Sequence, residues 1–243
     1  MIFIDLNHLG DKWLELKKQR MQNLLKIAPP DEALYREIML SLGYPKNKVN
    51  FLELALILPY SKIKDLKYEK IIEMALLYRA GFTNEKQGLP ENFDFSLKMD
   101  KSLWEYKGIR PANFPEKRIT GIVNLLAKSV EKGLITFFLK NIKTQIKKQN
   151  PRSALKNIMD FKGIGKQRKE EMFFNIILPF FMVFSDNKNI YQFLKFMFEN
   201  HPPLQDNSVT QKFKSKYPDL QITSVKEYMG IMLFEKTKES MSL

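Results

Sequence analysis

Apolar residues recur at the three- and four-residue spacing of an α-helix along almost the whole chain of 243 residues. No stretch shows the two-residue alternation typical of a half-buried β-strand, and no Asn-Gly dipeptide marks a tight hairpin. Proline and glycine residues divide the helical pattern into separate segments. The pattern therefore predicts an all-α fold: a single compact multi-helix domain over residues 1–243, with a soft boundary allowed in the loop at residues 82–95.

The ends of the helices can be read from capping residues, prolines and glycines. Asp31 is placed to cap one helix, and Asn50 has the spacing of a capping box before an apolar run that Pro59 stops. The apolar run at residues 172–184 is too short to span a bilayer, and we expect a buried helix there, kinked by Pro179. The sequence predicts helices at residues 9–28, 32–42, 50–58, 69–80, 115–132, 134–148, 151–160, 166–184, 189–200 and 224–238.

The composition excludes many kinds of chemistry. The chain has no cysteine, which rules out disulfides, thiolate nucleophiles and cysteine-ligated metal centres. His8 and His201 are the only imidazoles, and neither has a recognisable catalytic neighbour. The adjacent Glu170 and Glu171 point in different directions on a helix, so they form no acid–base pair. We therefore expect no metal, no cofactor and no catalytic residue, in a cytoplasmic protein that does not enter a membrane.

The positive charge is confined to one part of the sequence. Residues 101–169 contain 17 lysines and arginines against four acidic residues, and this difference equals the net charge of +13 of the whole protein. The rest of the chain is neutral, with 23 basic and 23 acidic residues. Such a block is typical of proteins that bind phosphate backbones. A generally lysine-rich surface would explain it less well, because lysine and glutamate would then rise together along the whole chain.

A Gly-Ile-Gly hairpin lies inside this basic segment. A short amphipathic helix runs into Gly163-Ile-Gly165 and a second helix follows at once, which resembles the helix-hairpin-helix motif of DNA repair proteins. In that motif the glycines let backbone N–H groups approach a phosphate, and Ile164 would pin the hairpin to the core. A tight turn between two packed helices is the alternative. The candidate nucleic-acid contacts here are Lys162, Gly163, Ile164, Gly165, Lys166, Arg168 and Lys169.

A proline-rich loop supplies the other candidate contacts. Pro111 and Pro115 fix an extended loop that could present Arg110, Asn113 and Arg118 to a ligand with little loss of entropy. The same arginines could instead bond to helix ends or buried carboxylates.

The pattern Arg110-Pro-x-Asn113-Phe-Pro-x-x-Arg118-Ile resembles the bacterial domain-of-unknown-function family 2851. Further blocks agree in order: Leu42-Gly-Tyr44 with Asn47, Phe51, Leu54-Ala55 and Pro59, then Ala75-Leu-Leu-Tyr78 with Ala80-Gly81, then Gly165-Lys-Gln-Arg168 with Asn175 and Pro179. The resemblance runs from about Asp31 to Phe184. It implies the helical C-terminal half of a longer protein whose β-rich upstream region resembles a nuclease. It carries over no established activity.

Three functions follow as hypotheses. The first is a non-catalytic module that binds the phosphates of nucleic acid without sequence preference, with DNA favoured over RNA as the partner. The second is an uncharacterised nuclease or lyase. The third is an interaction subunit whose protein partner supplies a separately encoded catalytic half, as the resemblance suggests.

Overall fold

The computed structural model describes residues 4–241 of the chain, and the side chains of residues 4–238. These residues form helices joined by turns and loops, with no β-strand among them, so the all-α prediction is confirmed. In chain order the α-helices are α1 (Leu6–Ile27), α2 (Pro30–Leu42), α3 (Lys48–Ile57), α4 (Tyr60–Leu66), α5 (Glu69–Arg79), α6 (Pro115–Ser129), α7 (Leu134–Gln145), α8 (Pro151–Ile158), α9 (Lys166–Met172), α10 (Leu178–Phe184), α11 (Lys188–Asn200), α12 (Ser208–Lys216) and α13 (Val225–Met241).

Each helix that the sequence predicts is present, with ends shifted by a few residues. The structure adds two short helices, α4 and α12, that the sequence did not predict; α12 buries only Thr210 and Phe213, so it has no apolar repeat to reveal it. The loop at residues 82–95 is confirmed as free of helix. Two short 3₁₀ turns, Lys101–Leu103 and Pro111–Asn113, interrupt the long segment between α5 and α6.

The helices group into two compact units. The first unit contains the residues up to Lys26, Asn141–Met159 and the residues from Lys166 onward, and the second contains Ile27–Lys140 and Asp160–Gly165. The loop at residues 82–95 lies within the second unit, and the divisions fall elsewhere. The single domain over residues 1–243 stays a prediction, and its residues 1–3 and 242–243 lie outside the described part of the chain.

Two carboxylates near the start of α2 bind the first turns of other helices in the second unit. The Asp31 carboxylate accepts a hydrogen bond from Ile135 N–H at 2.8 Å, at the beginning of α7. The neighbouring Glu32 carboxylate accepts from Tyr60 N–H at 2.8 Å, at the beginning of α4. Both bonds satisfy backbone donors that a helix leaves free in its first turn. The acidic pair therefore ties α2 to two helices that follow much later in the chain.

These contacts correct the capping predictions. The sequence predicts that Asp31 caps its own helix. In the structure α2 begins at Pro30, so Asp31 lies inside the helix, and no side chain caps its N-terminus. Asn50 lies inside α3, and its amide donates to the Leu103 carbonyl at 2.8 Å. In both cases the side chain bonds to a backbone group that is distant in sequence, and not to the first turn of its own helix.

The first unit contains a long helical stretch that runs from α9 into α10. Between them Phe173–Ile177 form a π-helical turn, where the Leu178 N–H donates to the Phe173 carbonyl. Pro179 has no N–H for the usual bond to the residue four positions earlier, and a widened turn accommodates this loss. The Asn175 amide donates to the Glu171 carbonyl at 2.8 Å, in the region where the sequence predicted a kink.

The phenylalanines of this stretch form much of the core of the first unit. Phe173, Phe174, Phe180 and Phe181 are fully buried, as the sequence predicts for a central helix. No helix within residues 4–241 has both the length and the apolar composition that crossing a membrane requires.

Removing the Asp31 carboxylate should destabilise the fold. In Asp31→Ala the first turn of α7 loses its acceptor, and we expect a decrease in the free energy of unfolding of about 0.5–2 kcal/mol. Urea denaturation followed by circular dichroism measures the change. Asp65→Ala, at an exposed position of α4, is the matched control and should stay within about 0.5 kcal/mol of wild type. Equal stabilities for the two variants would contradict the role of Asp31.

Candidate nucleic-acid interface

One face of α6 anchors the backbone of the Gly-Ile-Gly hairpin. Asn124 accepts a hydrogen bond from the Lys162 N–H at 2.8 Å through its Oδ1 atom. One turn further along the same face, the Lys128 ammonium donates to the Asp160 carbonyl at 2.8 Å. The hairpin is therefore fixed to the second unit by side-chain-to-backbone bonds on either side of Phe161, which is buried.

Gly163 is required by a close backbone contact within the protein. Its φ of +86° lies in the left-handed region that favours glycine. A Cβ atom at this position would lie 2.4 Å from the carbonyl oxygen of Gly121 in α6. Ile164 packs beside the same glycine of α6 and is half-buried. The space at Gly163 is thus filled by a helix of this chain.

Gly165 has a different environment. It is exposed, its φ lies outside the left-handed region, and a Cβ atom placed on it would have no neighbour within 4 Å. The fold therefore does not need a glycine here. The absence of a side chain leaves the backbone at the start of α9 open to a ligand.

The cations around the hairpin differ in exposure. Lys162 and Lys166 are exposed, and the ammonium of Lys166 lies 3.8 Å from the Glu170 carboxylate. Arg168 is half-buried and pairs with Glu171 at 3.2 Å, and Lys169 is also half-buried. The side chain of Lys166 is 84% exposed, so this cation can still contact an anion from solvent.

Glu170 is the least exposed carboxylate beside these cations. Burial raises its pKa, while the nearby positive charges of Lys166 and Arg152 act in the opposite direction. Its side chain is 13% exposed. The residue therefore lies mainly within the protein and leaves the surface at the start of α9 predominantly positive.

The proline-rich loop separates the other three candidate residues. Arg110 is exposed and precedes the 3₁₀ turn Pro111–Asn113, in which the Asn113 N–H donates to the Arg110 carbonyl at 2.8 Å. Asn113 itself is half-buried. Of the three, Arg110 is the one whose side chain is fully available to a ligand.

Arg118 corrects the sequence prediction. It is buried, with 9% of its surface exposed, and its Nη1 atom donates to the carbonyls of Leu42 and Tyr44, the latter at 2.6 Å. A buried guanidinium that holds the end of α2 cannot also contact a phosphate in solvent. The alternative role, in which an arginine satisfies a helix end, is the one that the structure shows.

Asn47 is a structural residue whose role sequence reasoning missed. Its amide nitrogen donates to the Glu105 carbonyl and its Oδ1 accepts from the Glu105 N–H, both at 2.9 Å. The side-chain amide thus pairs with the backbone of Glu105 as one β-strand residue pairs with another. This pair of bonds joins the start of α3 to the loop before α6. Asn47 is buried, with 1% exposure. An asparagine just before an apolar run was the available signal, but the distant partner could not be read from it.

The aromatic residues of this loop are not free to stack on bases. Trp104 is buried, and its indole N–H donates to the Ala80 carbonyl at 2.8 Å. The Tyr106 hydroxyl donates to Glu116 at 3.0 Å, and its ring packs edge-on against Phe114 with centroids 4.9 Å apart. Burial, reinforced by the Glu116 carboxylate, raises the pKa of Tyr106 to about 12. These rings hold the loop together.

Both histidines of the chain lie within the described residues. His201 is buried against Phe174, with Nδ1 2.7 Å from the Pro202 carbonyl, and burial lowers its pKa. Within the described residues no three or more His, Asp or Glu side chains are grouped to hold a metal ion.

Comparison with known families gives one result. The model of a family described as proteins of unknown function (DUF2851) matches residues 4–207, which is most of the chain. The chain belongs to the DUF2851 family. No curated protein and no solved structure matches it. The match is wider than the resemblance that the motifs indicated.

Several of the DUF2851-like motif residues have structural roles in this chain. Asn47 and Arg118 bind backbone groups in the second unit, as described above. Gly81, with φ +82°, packs against the Met99 carbonyl, where a Cβ atom would lie 2.4 Å from the oxygen. Exposed Arg110 and exposed Gly165 are different: neither position is needed by the packing of the fold.

The two hairpin glycines should respond differently to substitution. Gly163→Ala introduces both an unfavourable φ and a clash with Gly121, and we expect it to lower the free energy of unfolding by at least about 1–2 kcal/mol. Gly165→Ala, the matched control, should stay within about 0.5 kcal/mol of wild type. Urea denaturation of both variants measures this difference. A Gly163→Ala protein as stable as wild type would show that α6 does not contact the hairpin as described.

The two loop arginines form a second matched pair. Arg118→Met leaves the Leu42 and Tyr44 carbonyls without their buried donor, which should cost about 2–4 kcal/mol of stability for two lost bonds. Arg110→Met also removes one positive charge, but at an exposed position, and should leave the free energy of unfolding within about 0.5 kcal/mol of wild type. Thermal and urea denaturation compare the two. Similar losses in both variants would argue against the buried role of Arg118.

Proposed function

We propose that this protein is a non-catalytic nucleic-acid-binding module that contacts phosphates through its Gly-Ile-Gly hairpin and its exposed basic residues. The observation that carries the proposal is the exposed, open backbone at Gly165, within a hairpin that α6 holds in place. A preformed backbone loses little entropy on binding, and an N–H group approached without steric hindrance is a good phosphate donor.

The distribution of charge supports the same function. Of the 17 basic residues between residues 101 and 169, 14 are exposed, two are half-buried and one, Arg118, is buried. Phosphate contacts of this kind position a protein on nucleic acid but do not read its bases. The binding should therefore depend strongly on salt and little on sequence. The proposed contacts are Lys162, Gly163, Ile164, Gly165, Lys166, Arg168, Lys169, Arg110 and Asn113.

The proposal favours DNA and places the protein in the cytoplasm, where it would meet nucleic acid. An interaction subunit remains the second candidate, because the sequence resembles the helical half of longer proteins with a nuclease-like region. That function would need a protein partner supplying the catalytic half. The two candidates differ in one simple respect: the subunit requires no affinity for nucleic acid on its own.

Fluorescence anisotropy with a labelled duplex and a labelled single strand tests the proposed function. We expect dissociation constants in the micromolar range at low salt, as for other non-specific binders. If about five phosphates are contacted, log affinity should fall against log salt with a slope of about −3.5 to −4.5. Failure of the folded protein to bind either probe at low salt would overturn the proposal and favour the interaction subunit.

A variant at Gly165 tests the role of the hairpin itself. Gly165→Val places a side chain in open space, so it should block a phosphate from the backbone without disturbing the fold. We expect it to weaken binding more than Lys162→Ala does, because it affects several backbone donors at once. Lys64→Ala, which removes an exposed charge in α4 outside the basic segment, is the control and should bind like wild type. Unchanged affinity of Gly165→Val would remove the hairpin from the interface.

A further inference from the structure

A surface groove in the first unit lies between the turn that follows α7 and one face of α11. Its volume is about 350 Å³, and it is open to solvent. The groove is lined by Ile146, Lys147 and Lys148 on one side and by Gln192, Phe193 and Phe196 on the other. The volume falls at the lower end of the range of about 300–1,000 Å³ that is typical of ligand sites.

The side of the groove that α11 forms is aromatic. Phe193 is buried, with 4% exposure, and Phe196 is half-buried, three residues further along α11. Neither ring makes a ring–ring contact within the described part of the chain. Phe196 is half-buried and lines the groove, so part of this residue is accessible to a flat ligand, unlike the buried Trp104.

The rim of the groove is cationic and amidic. Lys147 and Lys148 are exposed, and neither forms an ion pair among the side chains that the structure describes. Across from them Asn189 and Gln192 project from the same face of α11 and are exposed. The stretch Asn141–Met159 that carries the two lysines contains no acidic residue, so no nearby carboxylate in the sequence neutralises them.

Local hydrogen bonds hold the lysine side of the groove in shape. The Lys148 N–H donates to the Gln145 carbonyl at 2.8 Å, which closes the turn after α7. The Gln145 side chain is buried and accepts from the Asn157 amide of α8 at 3.0 Å. The two lysines therefore project from a fixed turn and not from a loose loop.

We propose that this groove binds a nucleotide unit of single-stranded nucleic acid. A base stacks on the accessible part of Phe196, the flanking phosphates contact Lys147 and Lys148, and the amides of Asn189 and Gln192 bond to the base edge. Amides and an aromatic side chain suit a base, which offers both hydrogen-bonding edges and a flat face for stacking. Because the groove is open, a strand can enter and leave it, so we assign it to a strand and not to a free mononucleotide.

This inference goes beyond the proposed function. The hairpin contacts phosphates alone and accepts either a duplex or a single strand. The groove contacts a base, and bases in a duplex are stacked on each other and covered. The groove therefore predicts a preference for single strands that the hairpin does not explain.

The experiment measures the anisotropy of a labelled oligothymidylate of about 15 nucleotides and of a labelled duplex with wild type and variants. Phe196→Leu keeps an apolar side chain but removes the ring. It should weaken single-strand binding about fivefold or more, as expected for the loss of one stacked base, and leave duplex binding unchanged. Phe196→Tyr restores a ring and should bind the single strand like wild type.

The lysines provide an independent test that does not disturb the core. The double substitution Lys147→Ala, Lys148→Ala should weaken single-strand binding and make the salt slope shallower by about 1.4, for two phosphates on a single strand. Lys195→Ala is the matched control, because it removes an exposed charge from α11 outside the groove. Thermal denaturation of each variant confirms that it is folded.

The outcomes separate this inference from the proposed function. Single-strand binding that is equal to wild type in the folded Phe196→Leu and double-lysine variants would overturn the groove, even if Gly165→Val still weakens duplex binding. A parallel titration with thymidine monophosphate tests the source of the nucleotide. Tight binding of the mononucleotide without binding of the strand would also overturn the assignment, as would no binding of either probe by wild type.

Discussion

The structure of the second unit depends on polar side chains that satisfy distant backbone groups. The segment between α5 and α6 contains two short 3₁₀ turns but no α-helix, so most of its N–H and C=O groups lack partners in a helix of their own. Asn47 pairs with both backbone groups of Glu105, and Arg118 binds the carbonyls at the end of α2. Each bond joins residues more than fifty positions apart in sequence. The Asn47 bonds thereby fix the segment near Glu105, and the Arg118 bonds fix the chain at the end of α2.

The hairpin is held by the same means, with one addition. Asn124 and Lys128 bind its backbone, and the Gly121–Gly163 contact brings two main chains together at a distance that no side chain permits. Packing against Gly121 therefore explains why residue 163 is a glycine. No packing contact explains the glycine at residue 165. A glycine that the packing of the fold does not require is a reasonable place to look for function. This difference between two neighbouring glycines is the strongest argument for the hairpin as an interface.

Local signals in the sequence predict the helices, and long-range partners explain where the predictions fail. Helical periodicity together with Pro115, Pro151 and the residues around 166–184 gave helices that the structure confirms. Asp31 was assigned to its own helix because a capping residue and a helix start coincide, but its carboxylate binds the N-terminus of α7. The sequence indicated that Arg118 contacts a ligand, because the residue is charged and follows a rigid proline-rich loop. Arg118 is instead buried because it bonds to carbonyls at the end of α2. The sequence around Arg118 gives no information about this distant contact.

The basic segment is continuous in sequence but is divided between the two units. The first unit contains 21 basic and 12 acidic residues and the second contains 19 and 15, so the excess of positive charge belongs mainly to the first. The hairpin residues Asp160–Gly165 belong to the second unit, whereas α9 with Lys166, Arg168 and Lys169 belongs to the first, as does the groove. A charge block along the chain therefore does not define one binding face. The two surfaces must be tested separately, because the contacts proposed for them differ in kind: phosphates alone at the hairpin, and a base together with its phosphates in the groove.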